Sequence, residues 1–218
     1  SRAPSSTGCS RSLPAASPSS WRTSGERSGC SSGIVKSIVL ASGNPGKKAE
    51  LEQLLAPFGT RVITQVELGI TEAEEPHDSF LGNALAKARH ACFATRLPAL
   101  ADDSGLCVDA LGGAPGVHSA YYAGREGSRA ERDARNNAKL LADLDKSADR
   151  RAHYVCVLVL MRGPADTQPL VAEAEWHGEI ARAPRGSGGF GYDPYFFIKE
   201  SGRTAAELLP EEKNRISH

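Results

Sequence analysis

A run of aliphatic and β-branched residues at 34–41 stops at Ser42-Gly43-Asn44-Pro45-Gly46-Lys47, after which Leu51, Leu54 and Leu55 recur at helical spacing. A buried strand, a glycine-containing turn and a helix in that order commit the start of the chain to an α/β arrangement. Asn44 can cap the helix, and Pro45 suits its first position because the missing N–H is unpaired there anyway. Backbone N–H groups at a helix start, with Lys47 beside them, form a cradle for phosphate. A plain strand-to-helix turn accounts for the same residues. The stretch is not a Walker A loop, since Gly43 and Gly46 are too close together and Lys47 is followed by Lys48 instead of Ser or Thr.

Further along, residues 60–66 predict a second strand and residues 67–77 a loop carrying Glu72, Glu74 and Glu75, whose ordinary reading is solvated. A helix is expected from Asp78, capped by Asp78 or Ser79, with Phe80, Leu81, Ala84, Leu85, Ala88 and Cys92 on its apolar face. Asn83 and Lys87 lie four apart and share a face of it. Residues 97–101 predict a strand that ends at Asp102-Asp103-Ser104-Gly105. Alone, Asp-Ser-Gly favours a turn, whereas two carboxylates at a strand exit also suit a hard cation or a general base. Alternation along a strand would send only one of the two into a given cleft. Residues 112–116 read as a sharp loop and 128–144 as a polar helix containing Asn136, Asn137 and Lys139. Strands are expected at 152–161, 170–180 and 195–198, the first two forming an antiparallel portion, and a further helix at 204–209. The glycine-rich loop at 186–194 places Phe190 and Tyr192 beside Asp193; flat faces next to a polar acceptor suit a planar base, or the rings are simply core.

Composition narrows the function classes. Lys+Arg and Asp+Glu both total 26, so a broad basic surface for nucleic acid is not expected and any phosphate recognition is local. No apolar run approaches the ~20 residues of a membrane span. Five scattered cysteines without a CxxC pair point away from zinc and disulfides and towards a reducing, cytoplasmic setting. Residues 1–33 are rich in Ser, Pro and Arg with a single acid, Glu26, and are expected to lie outside the fold as a disordered or non-native extension. The folded domain is expected at 34–218.

The motifs together resemble one family, the inosine/xanthosine triphosphate pyrophosphatases. The matching residues are the Ser42–Lys47 turn, Glu74-Glu75, Phe80 with Asn83-Ala84 and Lys87-Ala88, the stretch from Ala101 to Leu106, the loop at 112–116, the loop at 188–194, Thr204 to Leu208, and Glu212-Lys213 through Ser217-His218. Each is weak singly; their shared order is specific.

The resemblance implies a mixed central sheet flanked by helices, two lobes around a nucleotide-binding cleft, and a homodimer. It implies Mg²⁺-dependent hydrolysis of non-canonical purine nucleoside triphosphates (ITP, dITP, XTP) to the monophosphate and pyrophosphate. Within the turn of Ser42, Gly43, Asn44, Pro45, Gly46 and Lys47, it assigns Ser42, Asn44 and Lys47 to the triphosphate. Lys87 would meet phosphate oxygens and Ser104 the ligand. Glu75 and Asp103 would hold Mg²⁺, with Asp103 also the general base and Asp102 its support. Phe190, Gly191, Tyr192 and Asp193 would form the base pocket with Lys213 and His218, which read the 6-oxo group. The family continues past Ser-His with an Arg and a final helix, which this sequence lacks. The alternatives are a related pyrophosphatase for modified pyrimidine nucleotides and a catalytically impaired nucleotide-binding protein.

Overall fold

The computed structural model describes residues 36–217. The expected extension at 1–33, the start of the first strand at residues 34 and 35, and His218 lie outside the described residues. Strands β1 (Ser37–Leu40), β2 (Arg61–Thr64), β3 (Ala99–Val108), β4 (Arg151–Met161), β5 (Leu170–Ile180), β6 (Phe196–Ile198) and β7 (Arg203–Thr204) form one sheet in the order β2-β1-β3-β4-β5-β6-β7. β1 runs parallel to both β2 and β3, and every later pairing is antiparallel. With helices α1 (Pro45–Leu55), α2 (Phe80–Thr95), α3 (Arg129–Asp143) and α4 (Pro210–Ile216), this is the helix-flanked mixed sheet that the resemblance implies.

The helix starts follow their local chemistry. Asn44 Oδ1 accepts from Gly46 N at 2.9 Å, and Pro45 opens α1. Ser79, not Asp78, caps α2, its hydroxyl accepting from Gly82 N at 3.1 Å. Ser128 and Glu131 form a reciprocal capping box at α3. The helix expected at 204–209 is instead one 3-10 turn, Ala205–Glu207, followed by α4. Leu209 precedes a proline, which disfavours helical backbone, and it is extended with ψ 149°.

Strand alternation sorts the sheet's two faces. Ala99 and Ala101 pack with Ala84, Ala88, Ala91 and Cys92 of α2, while Leu100 meets Leu51 and Leu55 of α1. Leu106 and Val108 join Leu140 of α3 in a further cluster with Trp176, Tyr192 and Phe196. Cys92, Cys107 and Cys156 are free; Cys92 sits in the α2-facing layer, Cys107 packs against it, and Cys156 is half-buried. Among the described residues, no helix is long and apolar enough to cross a membrane.

One expectation is overturned. Asp102-Asp103-Ser104-Gly105 is not a turn but the middle of β3, which runs unbroken for ten residues. Its far edge is fixed by β4, with Asp103 opposite Val157, Ser104 opposite Cys156 and Gly105 opposite Val155. Ten consecutive cross-strand pairs outweigh a local preference of four residues for turning.

Candidate active site

β1 contacts β3 only through Val39–Ala99 and Leu40–Leu100, then leaves the sheet at Ala41 towards α1. From Asp102 onward the edge of β3 facing β1 is therefore uncovered. β1 also connects outward to β2 on one side while β2 leads back to β3 on the other, so the chain switches direction here. Ligands of open α/β sheets bind at such a point, beyond the carboxyl ends of the parallel strands. The gap is a cleft of about 480 Å³, lined by Ser42, Gly43, Asn44, Lys47, Glu72, Glu75, Lys87, Asp102, Asp103, Ser104, Tyr121 and Arg129, among others.

Both aspartates reach this cleft, from opposite faces of the strand, so the expectation that only one would enter it fails. The open edge is the reason: side chains on either face border the same gap. Asp102 pairs with Lys47 of α1. Asp103 Oδ1 accepts from Lys87 Nζ at 2.8 Å, and its Oδ2 accepts from Asn83 Nδ2 at 3.4 Å, both from α2. Lys87 also pairs with Glu75 Oε1 at 2.7 Å and donates to Asp102 O at 3.1 Å. Asn83 completes the arrangement by accepting from His77 N at 3.0 Å, which ties the acidic loop to α2. Burial pushes the Asp103 carboxyl above its ordinary value, against the pull of Lys87. Burial pulls Lys87 down, but Asp103 and Glu75 outweigh it and hold the ammonium above its ordinary value.

Two carboxylates converging on one ammonium form a hard-oxygen donor set that suits Mg²⁺, which commonly takes one or two carboxylates and fills its shell with water and phosphate.

The aromatic-glycine loop forms a second cluster. Asp193, 2% exposed, accepts from Phe190 N at 2.9 Å and from Lys213 Nζ at 2.6 Å. Gly189 has φ +70°, and a Cβ there would strike the Asp193 carboxylate, so this turn requires glycine. Phe190 is 57% exposed and presents its ring, with Lys213 Nζ 5.1 Å from its centroid. Tyr192 faces the other way: it is buried in the core and its hydroxyl donates to Ser119 O at 2.8 Å. Gly191 is held at both backbone groups, its N–H donating to Asp133 Oδ2 at 3.1 Å and its C=O accepting from Asn137 Nδ2 at 2.9 Å. Phe190, Gly191, Tyr192, Asp193 and Lys213 do not line the 480 Å³ cleft. His218 lies outside the described residues.

Several cleft residues carry no motif in the sequence, Gln65, Tyr121 and Arg129 among them, and Glu72 lies in a loop whose ordinary reading is solvated. Arg129 follows Ser128 of the capping box, so the signal available was only that it opens α3.

The switch-point cleft, with lysines on two helices paired to carboxylates, defines an α/β protein with a charged cleft at the carboxyl ends of its parallel strands. The chain belongs to the Ham1 family, which matches residues 38–218. A dITP/XTP pyrophosphatase of Nitrosomonas europaea is 61% identical to it over 181 residues, covering 83% of this chain and 87% of that protein. A dITP/XTP pyrophosphatase of Ralstonia nicotianae is 60% identical over 184 residues, covering 84% and 91%. The solved structure of a HAM1 protein from Coxiella burnetii is similar at 48% identity with a TM-score of 0.79, covering 84% of this chain and 91% of that one.

Proposed function

We propose that the protein hydrolyses ITP, dITP and XTP to the monophosphate and pyrophosphate, with Mg²⁺ as cofactor. The observation that carries this reading is the Lys87 ammonium held between Glu75 and Asp103 beside the Ser42–Lys47 turn. It stands in a chain 61% identical to a dITP/XTP pyrophosphatase. Backbone N–H groups at the start of α1, with Ser42, Asn44 and Lys47, take phosphate oxygens. Lys87 adds a further cation, and Ser104 contributes a hydroxyl. Glu75 and Asp103 would hold Mg²⁺, which would neutralise phosphate charge when bound. Asp103 accepts a proton from water as the water oxygen bonds to the α-phosphorus and the α–β anhydride bond breaks. Pyrophosphate leaves with the electron pair of that bond.

Base selection falls to the second cluster. Phe190 offers a stacking face, and Lys213, fixed by Asp193, offers N–H donors to a 6-oxo group. Adenine presents an amino group there and leaves those donors unpaired. His218 is the further 6-oxo reader in this proposal. The proposal extends to a homodimer, for which exposed Leu158 and Leu170 on the β4–β5 pair supply apolar surface.

Pyrophosphate release from ITP, XTP, ATP and dTTP, with and without Mg²⁺, tests the reading. ITP and XTP are expected to be cleaved far faster than ATP, and chelation is expected to stop release until Mg²⁺ is restored. Preference for dTTP would support the pyrimidine alternative; ITP binding without any release would support the binding-only one. Phe190→Ala is expected to raise KM for ITP by about 5- to 100-fold with little change in kcat, in line with a stacked base. An unchanged KM removes Phe190 from the pocket.

A further inference from the structure

Arg129 touches both halves of the site. Arg129, Asp133 and Asn137 lie four apart and form one stripe of α3. Asp133 and Asn137 hold the two backbone groups of Gly191, so this stripe faces the aromatic loop. Arg129 continues it, with its guanidinium carbon 4.6 Å from the Phe190 ring centroid. The same side chain lines the cleft that holds Ser42, Asn44, Lys47 and Lys87. Lys47 and Lys87 are already paired with carboxylates. Of the three cations lining the cleft, Arg129 alone has no carboxylate partner among the described residues.

We infer that Arg129 covers the Phe190 face while no base is stacked there and transfers to the phosphates when a purine takes that face. This rests on the nucleotide-binding reading above. A guanidinium 4.6 Å above the ring fills the layer that a base stacked on that face needs, so a base taking that face displaces it. An exposed cation–π contact is weak, whereas a guanidinium meets phosphate oxygens with paired, charge-assisted hydrogen bonds. The exchange therefore favours ligands carrying both a flat base and a phosphate chain, and it makes Arg129 a substrate-contacting residue that links the two clusters.

Arg129→Ala and Arg129→Lys in the full chain test this with ITP, tripolyphosphate and inosine as probes. Arg129→Ala is expected to raise KM for ITP about tenfold with kcat within about twofold, since it removes a charged hydrogen bond from binding. Calorimetric titration is expected to show tripolyphosphate binding weakened to a similar degree and inosine binding unchanged or tightened. Arg129→Lys keeps the charge but not the planar fork and is expected to recover part of the loss. Weakening of both tripolyphosphate and inosine, or of neither, overturns the inference. An enzyme without ITP turnover would overturn the catalytic reading alone, because the binding titrations need no turnover.

Discussion

Asp103→Asn is expected to lower kcat for ITP hydrolysis by about 10³-fold while ITP still binds, the loss a positioned proton acceptor commonly carries. The substitution keeps the side chain's shape, so Lys87 retains an oxygen to donate to and the 2.7 Å pairing with Glu75 survives, at the loss of the acceptor that faces Asn83 Nδ2 at 3.4 Å. The melting temperature separates lost turnover from unfolding. Burial raises the Asp103 carboxyl above its ordinary 3.8, so the folded state holds that proton more tightly than the unfolded chain. As pH rises through the shifted value, ionisation costs folding free energy, and a neutral amide escapes that cost. The melting temperature of Asp103→Asn at pH 7 is therefore expected at or above that of the parent. Asp102→Asn, which frees Lys47 on the strand's other face, is expected to act mainly on KM. Turnover retained by Asp103→Asn, or an equal loss of kcat in both variants, would sink the division of roles between the two residues.

The fold and the cleft were partly legible in the sequence, and the limits of legibility have physical causes. Signals confined to a few neighbours came through: Asn44 and Pro45 start α1, and Ser79, one of two candidates, starts α2. The apolar run of β4 and the strand pattern of β5 also came through, with their antiparallel pairing. What failed was wherever distant chain decides. Asp-Ser-Gly reads as a turn until β4 supplies a partner for each residue. Both aspartates reach one cleft only because β1 leaves the sheet at Ala41. Phe190 and Tyr192 look alike in a glycine-rich loop, but Ser119 O takes the Tyr192 hydroxyl and leaves Phe190 as the ring on offer. Arg129 was invisible because Phe190, whose ring it covers, and the Ser42–Lys47 turn, which lines the same cleft, lie far from it along the chain.

Gly105→Ala is expected to destabilise the fold by about 3 kcal/mol, at the upper end of what overpacking a tight interior costs. The glycine looks like a turn residue by sequence, yet it sits in mid-strand at a place where the backbone has no need of its freedom. Space is the constraint. A Cβ at residue 105 would collide with Gly116 O and lie 2.6 Å from Ser119 Oγ and 2.9 Å from Phe80 Cε1. None of these can move freely. Ser119 Oγ accepts from Leu106 N at 2.8 Å and donates to Gly116 O at 2.6 Å, which clasps the 3-10 segment Gly116–Tyr121 against β3. That segment brings Val117, Ala120 and Tyr121 to the cleft wall, while Phe80 opens the helix that carries Asn83 and Lys87. One methyl group thus presses apart the two elements flanking Asp103. Chemical denaturation is expected to show a lowered midpoint, with KM for ITP raised in whatever fraction stays folded. A loss under about 0.5 kcal/mol, the range of an ordinary surface substitution, would mean that the clasp yields. The close approach of the 3-10 segment to β3 would then not be what shapes the cleft.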